Sequence, residues 1–243
     1  MKASMSSTER TIWNYFIVKG MSPAGVAGLM GNLYAESGLN PQNLQNTYQQ
    51  RLGFTDATYT AAVDSGSYSN FVRDRAGYGL AQWTYWSRKE AMLNFARERG
   101  ESIGDLIMQL DFMAQELKGY VAVWEVLRTA RTVKEASDIV LTRYERPANQ
   151  SRAVKEKRAS YGQAFYDAYT AEKKEATAVS NKTTPALNMR YYKGEIDDDL
   201  PYVGELHYDE ATGLIYDEDG DVVDEATLDS FFEGDGKGDD EDE

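Results

Sequence analysis

The chain of 243 residues carries a formal net charge of −14 and no Cys, which excludes disulfides, thiolate nucleophiles and thiolate metal sites and leaves the fold to core packing. Its single histidine is His207, so Ser-His-Asp triads, Cys-His pairs and HExxH zinc chemistry are excluded upstream, and carboxylates, Lys or Tyr must do any proton work. The acidity is local: residues 1–175 hold 22 Lys+Arg against 19 Asp+Glu, residues 176–243 hold 4 against 21, and no basic cluster interleaved with aromatics speaks for nucleic acid.

Ser6-Ser7-Thr8-Glu9 reads as a capping box, followed by Ile12, Trp13, Phe16 and Ile17 at helical spacing up to Gly20. A second helix starts at Ser22 with Pro23 in its first position, carries Val26, Leu29, Met30 and Leu33, and stops at Gly38. Glu36 therefore falls in its last turn. From Asn40 to Thr84 helical periodicity is lost, and the β-prone pieces Thr58 to Val63 and Tyr78 to Trp83 predict loops with a small β-hairpin.

Helical patterning returns over Ser87 to Arg99, Ser102 to Gly119 and Val121 to Thr129. A helix from the Thr132-x-x-Glu135 box then ends at Pro147, and a last one runs over about Ser151 to Glu175. Residues 1–175 are expected to form one domain, 176–194 a linker, and 195–243 an acidic, largely disordered tail in which Leu206 to Tyr208 and Leu214 to Tyr216 could pair as a hairpin. The stretch Asp217-Glu218-Asp219-Gly220-Asp221 lacks the register of an EF-hand loop. With no long apolar run and no signal-peptide core near Met1, a soluble protein without an export signal and without a membrane partner is expected.

Glu36 is the leading candidate for chemistry. At a helix C-terminus, beside Leu33 and Leu39, both the partial negative charge of the free carbonyls and apolar surroundings would favour its protonated form. Asp56, Asp64 and Asp74 could supply a second carboxylate, with Asp74 favoured by its place just before a glycine-bearing segment, although a pair with Arg73 or Arg75 or a turn cap would equally explain it. Gly77 and Gly79 would allow close backbone approach to a ligand, Gln82 offers amide donors and an acceptor, and Tyr78, Trp83 and Trp86 offer ring faces unless they fill core.

Three segments carry a resemblance: Gly31-Asn32-Leu33-Tyr34-Ala35-Glu36-Ser37-Gly38-Leu39-Asn40-Pro41, then Gly77-Tyr78-Gly79-Leu80-Ala81-Gln82-Trp83-Thr84, then Tyr144-Glu145-Arg146-Pro147-Ala148. Together they resemble the phage tail lysozyme family over roughly residues 8 to 170, and the first two are similar to segments of lytic transglycosylases. The resemblance implies an α+β, mostly α, two-lobed lysozyme-like fold that cleaves the β-1,4 bond between N-acetylmuramic acid and N-acetylglucosamine. Carried over, it makes Glu36 the general acid, has Ser37 support it by hydrogen bonding, and has Gly79, Leu80 and Gln82 line the sugar site. Tyr78, Trp83 and Tyr144 are further candidate contacts, Tyr144 the one most readily read as core.

No metal or cofactor is implied. The expected partner is bacterial peptidoglycan, with other tail proteins as possible partners of the acidic tail, and the expected place is the virion or the host wall after release. Two rival expectations stand beside this one: a wall-binding or structural tail protein on the same scaffold without turnover, and a chain whose acidic tail docks a basic partner.

Overall fold

The computed structural model describes residues 4–180, 207–209 and 214–216. Among these, nine α-helices run in the order α1 (Ser7–Val18), α2 (Pro23–Ser37), α3 (Asn46–Leu52), α4 (Asp56–Asp64), α5 (Trp86–Arg99), α6 (Leu106–Gly119), α7 (Val121–Thr129), α8 (Val133–Ile139) and α9 (Arg152–Ser180). A π-helical turn, Val140–Glu145, continues α8.

The helix starts follow the sequence. Ser6 accepts from the Glu9 amide while Glu9 reaches back to the Ser6 amide, and Ser22 accepts from the Gly25 amide ahead of Pro23. Each satisfies an amide that the first helical turn leaves free.

The stretch 40–84 departs from expectation. Thr58 to Val63 is not a strand but part of α4, because Thr55 and Thr58 form a reciprocal cap and Tyr59, Thr60 and Val63 bury one helical face. Helix α3 has no side-chain cap and no buried residue, so neither signal that announces a helix is present. The expected hairpin shrinks to two isolated bridges, Leu44 with Tyr78 and Tyr78 with Trp83.

The only strands among the described residues are β1 (His207–Asp209) and β2 (Leu214–Tyr216), antiparallel with Tyr208 opposite Ile215. They coincide with the two Tyr-bearing pieces of the acidic tail, β1 one residue later than expected. Residues 176–180 of the expected linker belong to α9, while residues 181–194 and the remaining tail residues lie outside the described ones. None of the helices described is long and apolar enough to cross a membrane.

Helix α2 is the centre of the core: every residue from Ala24 to Leu33 is buried, with α1, α7, α8 and α9 around it. Glycines at every third position allow this. A methyl group added at Gly25 would lie 1.8 Å from the Leu127 carbonyl oxygen, one at Gly28 2.6 Å from the Ser137 amide, and one at Gly31 2.5 Å from both the Arg158 carbonyl oxygen and the Gly162 amide. Gly162 of α9 answers in kind, its missing Cβ 2.5 Å from the Ala27 carbonyl oxygen. Tyr34 then packs edge-on against Tyr161 and Phe165 of α9.

A buried ion pair orders the region between α4 and α5. Lys89 Nζ lies 2.7 Å from Asp74 Oδ1 and donates to the Ala76 carbonyl, and neither charged side chain is exposed. Asp74 also accepts from Tyr59 Oη at 2.5 Å, from Tyr68 and from the Ala76 amide. Burial and the Asp74 charge push the Tyr59 phenol far up, which keeps it a donor.

Both features predict measurable responses. Gly31→Ala lowers unfolding free energy by about 1–3 kcal/mol, because overpacking against backbone outweighs the better helix propensity of alanine. Gly119→Ala, where added bulk meets nothing within 4 Å, leaves stability unchanged or raises it by up to about 1 kcal/mol. Lys89→Met strands the Asp74 carboxylate and costs about 3–5 kcal/mol, most of which the double change Lys89→Met with Asp74→Asn restores. Urea unfolding of the four variants checks all of these, and equal losses for the single and double changes at position 89 would contradict the ion-pair reading.

Candidate active site

Glu36 stands one residue before the C-terminus of α2, where Gly38 takes the left-handed conformation that ends the helix. Its side chain is 20% exposed and looks into a groove of about 690 Å³. The groove is walled by Tyr48 of α3, by Gln82, Thr84 and Tyr85, by Arg88 of α5, and by Glu145 with Pro147 beyond it. A second hollow of about 640 Å³, with Arg73 and Trp86 in its wall, shares Arg75, Thr84 and Tyr85 with the first, so the two adjoin along that wall.

The surroundings of Glu36 differ from the apolar setting expected. Leu33 and Leu39 are buried in the core, and what meets the carboxylate is Arg158 of α9, whose Nη2 donates to Glu36 Oε1 at 2.5 Å. Arg158 Nη1 donates to Asn32 Oδ1 at 3.2 Å, and the Asn32 amide donates to the Gly28 carbonyl and to Ser137 of α8. A buried polar chain thus runs from α8 through α2 to the arginine that grips the acid.

Ser37 does not bond to Glu36. Its hydroxyl donates to the Leu33 and Leu80 carbonyls, at 3.1 and 2.9 Å, and so fastens the end of α2 to the segment 77–84. That segment faces the protein more than the groove. Leu80, Tyr78 and Trp83 are fully buried; Tyr78 shares a hydrogen bond with Thr60, and Trp83 donates to Glu116. A Cβ at Gly79 would strike the Gln109 amide at 2.7 Å, and one at Gly77 the Gln82 side chain, so these glycines accommodate side chains of the protein itself. Gln82 does line the groove, with its nitrogen committed to Asn43 and to the Gly79 carbonyl.

The second-carboxylate candidates lie away from the groove. Asp74 is sealed in its pair with Lys89. Asp56 starts α4 and accepts from the Leu44 amide, Asn40 and Gln49, and Asp64 accepts from Ser102 and the Ile103 amide. All three are spent on chain geometry, and none appears among the residues lining either hollow.

Tyr144 is core, as its simplest reading had it. Its hydroxyl donates to Glu116 Oε2 at 2.9 Å, while Arg88 forks onto both oxygens of the same carboxylate at 2.8 Å and lies over the Tyr144 ring. This network stiffens the wall that carries the next residue.

Arg158, which meets Glu36 without lining the groove, sits in mid-helix with no local signal, since nothing in its flanking residues says which face of α9 it occupies. Glu145, which does line the groove, belongs to Tyr144-Glu145-Arg146-Pro147-Ala148, where no local pattern gives it a role. It ends the π turn, Arg146 after it has φ 52°, and its Oε1 is buried without a hydrogen-bond partner among the described residues. Burial, then the charge of Glu36, push its carboxyl up to about 8, against the opposing pull of Arg88 and Arg158.

Residues 7–169 match the family model described as phage tail lysozyme. A relative, morphogenesis protein 1 of Bacillus phage B103, is 26% identical over 174 residues, which cover 65% of this chain and 38% of that protein. The chain thus corresponds to well under half of that relative's length. With a glutamate ending a buried helix in an open groove, and with the family match running from α1 to α9, the chain belongs to the phage tail lysozyme family.

Proposed function

We propose that the chain cleaves the β-1,4 bond between N-acetylmuramic acid and N-acetylglucosamine in peptidoglycan strands, by general acid catalysis from Glu36, as a tail-associated lysozyme or lysin. The observation that carries this reading is the place of Glu36: a part-exposed carboxyl at the end of α2, on the wall of a groove that adjoins a second hollow. A departing sugar oxygen needs a proton, and a positioned carboxyl supplies it.

The groove and the adjoining hollow suit a glycan in other respects. Gln45, Gln82 and Thr84 offer amide and hydroxyl groups for N-acetyl and ring substituents, while Tyr85 and Trp86 leave large ring faces exposed. Arg73 lies over the Trp86 ring, with 5.4 Å from its guanidinium carbon to the ring centroid, and so steadies that face. With Asp56, Asp64 and Asp74 occupied elsewhere, none of the three serves as nucleophile in this reading. The acceptor is a water or a hydroxyl of the muramyl residue itself, and a partner carboxylate is needed only for some of these routes.

The name of the relative favours a second reading, in which the scaffold takes part in virion building and binds wall without cutting it. Association with the virion is common to both. The acidic residues beyond 176 would then be the docking segment for other tail proteins.

Glu36→Gln keeps the acceptor for Arg158 and removes the transferable proton. It should lower the rate of turbidity clearing of purified peptidoglycan at least about a hundredfold while the melting temperature stays nearly unchanged. Full clearing by this variant would refute the role of Glu36; wild-type protein that pellets with walls and never clears them would favour the binding reading. Mass analysis of the digest identifies the acceptor, since water leaves a reducing end and the sugar hydroxyl an anhydro-muramyl end.

A further inference from the structure

The pairing of Glu36 raises a difficulty for its chemistry. Arg158 donates to Glu36 Oε1 at 2.5 Å, with both side chains at most 20% exposed, and this ion pair competes with the use of Glu36 as an acid. A second carboxyl on the same wall is a source of the proton.

Among the described residues, Glu145 is the one other carboxyl that lines the groove with Glu36. Its Oε1 is buried and has no hydrogen-bond partner among them. An unpaired carboxylate in that position carries the full cost of desolvation, while the protonated carboxyl does not. The charged groups facing it are Glu36 from α2, Arg88 from α5, Glu116 from α6 and Arg158 from α9, with the Tyr144 phenol beside it. Both arginines are already committed, Arg88 as a fork onto Glu116 and Arg158 to Glu36 and Asn32.

The wide turn Val140–Glu145 and the left-handed Arg146 that follows it are conformations that collect at working sites.

We propose that Glu145 is a second working carboxyl of the groove, storing the proton that Glu36 delivers to the leaving oxygen. This rests on the glycan-cleaving reading given above. The step balances: the Glu145 O–H proton passes through water of the groove to Glu36, Glu36 gives it to the glycosidic oxygen as that oxygen takes the electron pair of its bond to the anomeric carbon, and two carboxylates remain. The acceptor, water or sugar hydroxyl, bonds to the anomeric carbon and its proton returns to the pair. Glu145 acts through Glu36 and is a positioning residue for the proton.

The test is Glu145→Gln, which keeps shape and removes the stored proton. Clearing of purified peptidoglycan should fall at least about tenfold at pH 7, with the loss growing toward alkaline pH and the optimum moving to lower pH by about a unit or more. A uniform loss with the pH profile unmoved would mean a merely structural residue and would overturn the proposal.

Thermal unfolding gives a readout free of activity. With the Glu145 carboxyl raised from 4.5 to about 8 in the fold, the folded chain binds one proton more than the unfolded chain between those values, so wild-type stability falls as pH rises across that window and no further above it. The melting temperature of Glu145→Gln minus that of wild type should therefore widen from about pH 4.5 to about pH 8. A constant difference overturns the proposal. If wild-type protein clears no wall at all, the glycan-cleaving reading fails on that result, and the melting series still decides whether Glu145 holds a proton.

Discussion

The closeness of α2 to its neighbours is the constraint from which the rest follows. Hydrophobic burial alone would be satisfied by helices packed at an ordinary distance of about 8–10 Å between axes, with side chains between them. Here the missing Cβ atoms of Gly28, Gly31 and Gly162 bring backbone onto backbone, and that approach sets where the polar side chains at the interface end. Asn32 can reach both Ser137 of α8 and Arg158 of α9 only because the helices meet so closely, and Arg158 then stands over the last turn of α2. A core-packing feature with no chemistry of its own therefore determines the partner of Glu36.

The same economy governs the carboxylates. Glu36 and Glu145 line the groove, Glu116 lies behind its wall and Asp74 away from it, and the structure treats each differently. Asp74 is sealed with Lys89 and saturated by tyrosines and an amide; Glu116 takes four hydrogens from Trp83, Tyr144 and Arg88; Glu36 is held by one arginine at the water's edge; Glu145 has a buried Oε1 without a partner among the described residues. Buried charge is tolerated when donors surround it and is otherwise neutralised by a proton.

How far the sequence discloses this depends on the range of the forces concerned. Helix starts were legible because caps are local: Ser6 with Glu9, Ser22 with Pro23 and Thr132 with Glu135 each lie within one turn. Glu36 was legible as a residue ending a helix before a glycine. Helix α4 reads as strand in sequence because Thr, Tyr and Val suit strands on average, whereas the Thr55 cap starts a helix there. The partners were illegible in principle. Whether Asp74 pairs with Arg73, Arg75 or Lys89, and whether Ser37 serves Glu36 or Leu80, depends on tertiary approach over tens of residues, and no local pattern encodes it.

The segment 77–84 carries this point one step further. Its glycines, aromatics and glutamine suggest a ligand-binding strip, yet most of its atoms are turned inward: Tyr78 to Thr60, Gly79 and Leu80 to Gln109, Trp83 to Glu116, the Leu80 carbonyl to Ser37. Gln109 is itself fixed by the Pro41 and Ile103 carbonyls, so the strip is anchored on both flanks and cannot drift from the end of α2. What it contributes to the groove is Ala81, Gln82 and Thr84, tied to the end of α2 through Ser37. A motif can thus belong to a catalytic groove mainly by holding its opposite wall, and the pattern that marks it in sequence is then the pattern of the holding, not of the contact.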